Sequence, residues 1–150
     1  MEVLAIAKRE KSRAPMEEMT QALITTEQGV VGDFRGKPGK RQLTVLSAES
    51  WQDACNDVNT DLPWTVRRSN ILVSGIRFSE ANVGDVIQIG EVKLEITRET
   101  DPCPRMDEQH QGLTQALMPD WRGGVCCRVV ADGEVKVGDE AVLLSAGGVI

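Results

Sequence analysis

The chain has 150 residues, a formal net charge of −6 and an isoelectric point near 4.9, with 41% hydrophobic and 27% charged residues. This length predicts a single domain spanning residues 1–150, and the composition is typical of a globular protein with a core rather than of a disordered chain. The acidic balance argues against a nucleic-acid-binding protein, because such proteins bind phosphates through an excess of lysine and arginine.

The sequence also argues against a membrane or secreted protein. No run approaches the roughly 20 apolar residues that a membrane-spanning helix needs, and the first residues lack the basic start and long apolar segment of a signal peptide. We therefore expect a cytoplasmic protein whose four cysteines stay reduced. His110 is the only histidine and no two cysteines have zinc-site spacing, so a structural metal is not expected.

Short strands dominate the predicted secondary structure. Runs of β-favouring or alternating residues predict strands at 3–7, 21–25, 42–46, 71–73, 86–89, 92–97, 125–130 and 141–144. One helix is predicted at 48–58 with Ser47 as its N-cap, and a second at 109–118, ending at Pro119.

Turn signals connect these strands. Residues 89–92 place a Gly-Glu pair between two apolar runs, and residues 131–134 contain an Asp-Gly pair, so both segments predict β-hairpins. Many short strands with few helices indicate a mainly β fold, a closed or nearly closed β-barrel with a few short helices.

Cys103 is the candidate catalytic and metal-ligating residue. It lies between Pro102 and Pro104 in a polar loop, where the prolines stiffen the chain around an exposed thiol. Arg105 follows two residues later, and a neighbouring guanidinium stabilises the thiolate, the form that attacks sulfur or binds a soft metal. A protease-like pair of Cys103 with His110 is the weaker alternative.

The other cysteines are interpreted as core residues, the usual environment of free cysteines. Cys55 falls in the predicted helix. Cys126 and Cys127 are adjacent in an apolar strand, where alternation places them on opposite faces, so at least one should pack in the core.

Several arginine- and glycine-containing loops offer groups for an anion. Paired glycines after Arg122 would let backbone N–H groups approach a phosphate, and Arg68 provides a planar donor at the entrance of a strand. The candidate binding residues are Arg35, Arg68, Asn70, Arg105, Arg122, Gly123 and Gly124. Arg9 and Arg13, in a charged N-terminal stretch, are interpreted as solvated surface.

Taken in order, these motifs resemble the MOSC family, named for the C-terminal domain of molybdenum cofactor sulfurase. The likeness extends from about residue 32 to residue 144. The motifs are Gly-Asp-Phe-Arg-Gly at 32–36, Arg-Gln-Leu-Thr-Val at 41–45, Arg-Ser-Asn-Ile-Leu-Val-Ser-Gly at 68–75, Leu-Glu-Ile at 94–96, Pro-Cys-Pro-Arg-Met at 102–106, Arg-Gly-Gly-Val at 122–125, and Val-Gly-Asp at 83–85 and 137–139.

This resemblance implies a β-barrel-like fold and a functional cysteine matching Cys103, which either relays sulfur or ligates molybdenum. It also implies that Arg35, Arg68, Arg105 and Arg122 form a pocket for the pterin phosphate and ring of the molybdenum cofactor (molybdopterin). No pyridoxal phosphate is expected, because the sulfurase's aminotransferase-like domain does not occur in this sequence.

Three functions are compatible with these features. The first is a molybdenum-cofactor protein that reduces N-hydroxylated compounds with electrons from a separate protein. The second is a non-enzymatic carrier that accepts persulfide on Cys103 from a sulfur-donor protein and passes it to the cofactor or a molybdoenzyme. The third is a metal-free binder of small molecules that retains the fold. Bound molybdenum and pterin would distinguish them.

Overall fold

The computed structural model describes residues 1–145, which form a mainly β fold. The strands in this range are β1 Glu2–Lys8, β2 Glu17–Met19, β3 Gln21–Thr25, β4 Gly29–Val30, β5 Leu43–Ser47, β6 Ile71–Ser74, β7 Val86–Ile89, β8 Val92–Glu99, β9 Val125–Ala131, β10 Gly133–Lys136 and β11 Ala141–Leu144. The α-helices are α1 Ala48–Asp57, α2 Met106–Gln109 and α3 Leu113–Leu117, and short 3-10 turns occur at Trp64–Arg67, Glu80–Asn82 and Pro119–Trp121. Over residues 1–145, no helix has both the length and the apolar character needed to cross a membrane.

The strands form two sheets. The larger has eight strands in the order β11-β7-β8-β9-β5-β6-β1-β2, and the smaller has three in the order β10-β3-β4. Neighbouring strands are antiparallel except β5 and β6, which run parallel because α1 and the turn at Trp64–Arg67 carry the chain back between them.

The fold is mainly β with a few short helices, as predicted, but the predicted closed or nearly closed barrel is not found, since both sheets are open across the described residues. Strand β1, next to one end of the larger sheet, contacts the segment before β11 at the other end through an isolated antiparallel bridge between Glu2 and Glu140 and a few backbone hydrogen bonds. Strand β1 explains this, because its C-terminal half pairs with β2. Its N-terminal half contacts the segment before β11, where Val3 N donates to Asp139 O at 2.9 Å. Because one edge of β1 is shared between β2 and the segment before β11, neither of them forms a full-length ladder with β1.

Local connections differ from prediction in two places. The hairpin at 89–92 is confirmed, with Ile89 opposite Val92, but residues 131–134 do not form one. There, β9 pairs with β8 and β5, whereas β10 pairs with β3 in the other sheet. The helix predicted at 109–118 is instead two short helices, interrupted at Gly112, whose φ of 88° is incompatible with continuous α-helix.

Buried side chains form two apolar clusters, one on each face of the central strands. The first lies between the two sheets and includes Leu43, Val45 and Cys127. The second includes Leu46 from β5 and packs beneath α1 and α3. Helix α1 begins as predicted, with the Ser47 hydroxyl accepting from Ser50 N at 3.1 Å.

Candidate functional site

A pocket beside β5 and β6 gathers four arginines from distant parts of the chain. Its free space for water-sized groups is about 20 Å³, and about 310 Å³ is empty when the solvent at its open mouth is counted. The lining residues are Arg9, Met16, Asp33, Arg35, Arg41, Leu43, Thr44, Arg68 and Asn70. Four guanidinium groups against one carboxylate give the pocket a positive potential within an acidic protein, which favours an anionic ligand.

Arg9 lies in this pocket, so its interpretation as solvated surface is wrong. The position is fixed by backbone contacts, because Phe34 N donates to Arg9 O at 2.7 Å and Arg9 N donates to Asp33 Oδ1 at 3.0 Å. The other Asp33 oxygen accepts from Arg35 N at 3.1 Å. The Asp33 carboxylate therefore joins two segments through backbone donors. The Phe34 ring has the guanidinium carbons of Arg9 and Arg35 at 5.8 and 5.9 Å from its centre.

Arg68 and Asn70, both predicted from the sequence, lie in the same pocket. Arg68 has a left-handed φ of 62° and ends the turn at Trp64–Arg67. One of its terminal nitrogens donates to Ala14 O. Asn70 is buried, accepts from Thr44 N at 3.0 Å and donates to Ala7 O at 3.2 Å. These bonds make Asn70 a rigid part of the pocket floor.

Arg41 is the pocket residue whose bonding is incomplete. Its Nε atom is buried and has no hydrogen-bond partner among residues 1–145. Burial is the main cause that lowers the pKa of Arg41, and Arg35 and Arg98 lower it further, whereas Cys126 and Cys103 act in the opposite direction. A buried donor without a partner is unfavourable by about 1–3 kcal/mol.

The loop that carries Cys103 is held by Arg67. This guanidinium is buried, with Nε donating to Gly123 O at 3.1 Å and Nη2 donating to Thr100 O at 2.9 Å and Asp101 O at 3.3 Å. Burial, followed by the charge of Arg41, lowers the pKa of Arg67 to about 10, so the group remains protonated at neutral pH. Arg67 thus places a positive charge under the residues that precede Cys103.

Cys103 itself is exposed, as the sequence predicted. Its Sγ accepts from the backbone N–H of Arg105 at 3.4 Å, so this contact comes from the main chain of Arg105. The Arg105 side chain is exposed and does not line the arginine pocket. The Cys103 carbonyl accepts from Thr114 Oγ1 at 3.0 Å and Met106 N at 2.9 Å, which ties the loop to α2 and α3.

Cys126 and Cys127 have different surroundings. Cys127 packs in the first apolar cluster, as predicted for one of the two, and burial raises its pKa. Cys126 lies opposite Thr44 of the pocket in the β5–β9 register, and its Sγ lies 3.4 Å from Thr100 Oγ1. It belongs to neither apolar cluster. The buried thiol of Cys126 is therefore close to both the pocket and the Cys103 loop.

The segment 122–124 has mainly packing contacts in the structure. Arg122 Nη1 lies 2.5 Å from Asp57 Oδ2 and donates to Ala116 O at 3.0 Å, and Arg122 is not among the pocket-lining residues. A Cβ atom on Gly123 would lie 2.5 Å from Thr100 O, and one on Gly124 would lie 2.5 Å from Val45 O. Both glycines permit close backbone approach, and their role in binding a phosphate stays a prediction.

Two central residues, Arg41 and Arg67, were not among the candidate binding residues, although both belong to basic clusters of the sequence. Arg41 lies two residues before β5, and Arg67 directly precedes Arg68 at the entrance to β6. An arginine beside a buried strand is placed where it can reach a neighbouring loop, but the sequence does not show which loop.

Comparison with known proteins provides independent findings. A family model described as MOSC domain matches residues 25–142. The fold is similar to that of the YuaD protein from Bacillus subtilis, with a TM-score of 0.84 and 18% identity over 96% of this chain and 95% of that one.

Two further structures have similar folds. YiiM from Escherichia coli has a TM-score of 0.71 and 18% identity over 97% of this chain and 70% of that one. YiiM from Geobacillus stearothermophilus has a TM-score of 0.76 and 14% identity over 99% of this chain and 80% of that one. At these identities the likeness shows the fold alone. No curated protein matches the chain in sequence.

Proposed function

The chain belongs to the MOSC domain family, and from that premise we propose that it binds molybdenum cofactor and reduces N-hydroxylated compounds. In this proposal the arginine pocket holds the pterin phosphate and Cys103 ligates the metal. The electrons come from a separate protein.

The convergence of four arginines on one pocket is the observation that carries the proposal. A phosphate oxygen accepts several hydrogen bonds and carries negative charge, which matches a pocket lined by four guanidiniums. Burial, and after it the like charges of Arg68, Arg35 and Arg41, lower the pKa of Arg9, so a bound dianion would relieve repulsion as well. The space that water-sized groups can occupy in the pocket is only about 20 Å³, well below the roughly 300–1,000 Å³ of small-molecule pockets, so the pocket would hold the phosphate and the rest of the cofactor would lie outside it.

Cys103 suits the metal-ligating part of the proposal. A thiolate is a soft ligand, and the exposure of Cys103 leaves its sulfur accessible to a cofactor. The bound cofactor would supply two-electron chemistry, in which an N–OH group takes up two electrons and two protons to give N–H and water. Arg67, under the loop, would hold Cys103 in place.

The direct test is to purify the protein from a molybdenum-replete host and to measure bound molybdenum and pterin. We expect both in near-equal amounts in the wild type, and strong depletion in Arg41→Ala and Arg68→Ala. Lys93→Ala, at an exposed site on β8, is the control and should retain them. Absence of metal and pterin from the wild type, in a host shown to make the cofactor, would refute the proposal.

A second function is favoured by the exposure of Cys103 on a loop rather than in an enclosed cavity. An exposed thiolate can attack the persulfide of a donor protein and later pass the sulfur on. Incubation with cysteine and a pyridoxal-phosphate-dependent cysteine desulfurase should then add the mass of one sulfur atom to the Cys103 peptide. Addition at other cysteines, or at none, would count against a carrier role.

A further inference from the structure

Positive charge is concentrated in two short segments of this acidic chain. Segments 8–13 and 33–41, together called the basic rim, contain eight of the 17 lysines and arginines and only two of the 23 acidic residues. The remainder of the chain has nine basic and 21 acidic residues. A protein with net charge −6 therefore presents one strongly positive surface against a strongly negative remainder.

The fold joins the two rim segments at the mouth of the arginine pocket. Arg9 and Phe34 are hydrogen-bonded through the main chain, and Arg9, Arg35 and Arg41 line the pocket. The rim residues Lys11, Arg13, Lys37 and Lys40 are exposed on the same segments and do not line it.

The acidic residues of the rim offset only part of its charge, because eight basic residues stand against two acidic ones. The two Asp33 oxygens accept from backbone N–H groups of Arg9 and Arg35. Ion pairs of the described residues that involve arginine or lysine are at Arg77, Arg122, Arg128 and Lys136, all outside the rim. The positive charge of the rim is thus available to a partner.

We infer that the basic rim is the docking surface for an acidic electron-carrier protein, an inference that rests on the proposed reductase function. Complementary charge steers such a partner to the surface and sets its orientation. Docking at the rim would place the carrier's redox group at the mouth of the pocket. Two one-electron carriers, each oxidised once, would supply the two electrons that one N–OH reduction consumes.

The charge distribution favours a compact protein over a nucleic acid. A duplex carries negative charge along its whole length, so beyond the rim it would meet the 21 acidic residues of the remaining chain. A partner protein whose acidic face is the size of the rim would contact only the two positive segments. The rim also offers only one aromatic residue, Phe34, whose ring is already flanked by two guanidiniums.

Charge reversal on the rim tests the inference. The double variant K37E/K40E should weaken binding of a reduced plant-type [2Fe–2S] ferredoxin, or of an acidic flavodoxin, by about tenfold or more at low ionic strength. The difference should shrink as salt is added, because exposed charges are screened. K93E/K136E is the matched control, with the same total change of charge at exposed lysines outside the rim, and should change the dissociation constant by less than about threefold.

Each other outcome overturns the inference. Equal weakening by both double variants would mean that only net charge matters. No salt-sensitive association with either carrier would remove the docking site, and tighter rim-dependent binding of a duplex oligonucleotide would assign the rim to nucleic acid. Association needs no bound cofactor, so its failure with normal molybdenum content refutes the docking surface alone. Missing molybdenum with normal association refutes the proposed function instead.

Discussion

Arg67 and Arg41 carry the same charge but differ in how many of their donors are hydrogen-bonded. The Nε and Nη2 atoms of Arg67 bond to three main-chain carbonyls in the loops around Cys103. The buried Nε of Arg41, within the pocket, has no partner among residues 1–145. A guanidinium whose donors are used by the protein holds a loop in place, whereas Arg41 lines the pocket and is not committed to a main-chain partner through its Nε. Loss of the first should affect stability, and loss of the second should affect binding.

The largest effect on function should come from replacing the thiol of Cys103. Cys103→Ser should abolish reductase activity or sulfur transfer, because a serine hydroxyl is neither a soft metal ligand nor a persulfide carrier. The thermal unfolding midpoint should change little, since Cys103 is exposed. Activity assays together with calorimetry test both statements.

Cys126→Ser tests whether the buried thiol of Cys126, rather than the exposed thiol of Cys103, is needed for activity. This variant should retain activity, although its buried hydroxyl should lower stability modestly. Wild-type activity in Cys103→Ser, with loss in Cys126→Ser, would identify Cys126 as the reactive thiol and reverse the assignment.

Arg67→Met should have the next largest effect. It leaves the buried carbonyl groups of Thr100 and Gly123 without their donor, so the free energy of unfolding should fall by about 1–3 kcal/mol. Alkylation of Cys103 at neutral pH should also slow, because the positive charge under the loop is lost.

Arg67→Lys serves as the conservative variant in urea unfolding and timed alkylation. Lysine keeps the charge but not the planar set of donors, so it should restore the alkylation rate more fully than the stability. If Arg67→Met lowers the stability but leaves the alkylation rate of Cys103 unchanged, Arg67 has only a structural role.

The sequence predicted these two regions unequally, for physical reasons. Cys103 could be identified because two prolines and an arginine mark its loop locally, and Arg35, Arg68 and Asn70 were found through their motifs. Most strands followed from β-favouring or alternating runs, whereas β2, β4 and β10 were not among the predicted strands. The partners of Arg41 and Arg67 are set by contacts between residues far apart in the chain, such as Arg67 with Gly123. Closure of the sheet likewise depended on how β1 divides between two neighbours, which no local pattern specifies.

Arg41→Ala should have the opposite profile to Arg67→Met. Loss of one charge-assisted hydrogen bond to a phosphate should weaken binding of a phosphorylated pterin by about tenfold, while the free energy of unfolding stays level or rises slightly. Arg13→Ala is the charge-matched control, because Arg13 is exposed and does not line the pocket. Calorimetric titration of a phosphorylated pterin into both variants measures the two losses of affinity. Equal losses of affinity would show that diffuse charge, and not the pocket, binds the phosphate.

Arg122→Ala should have the smallest effect on ligand binding. It tests whether the hydrogen bonds of an arginine indicate its role, in stability or in ligand binding. Arg122 combines both features, because it pairs with Asp57 and also has a buried Nε without a partner in the described part of the chain. The Asp57 side chain is 56% exposed, and a pair with an exposed carboxylate contributes only about 0–1 kcal/mol. Arg122 does not line the pocket, so phosphorylated pterin should lose less than about threefold in affinity. A tenfold loss would show instead that the anion site extends to the segment 122–124 and that a free buried Nε identifies a ligand-binding arginine even outside the pocket.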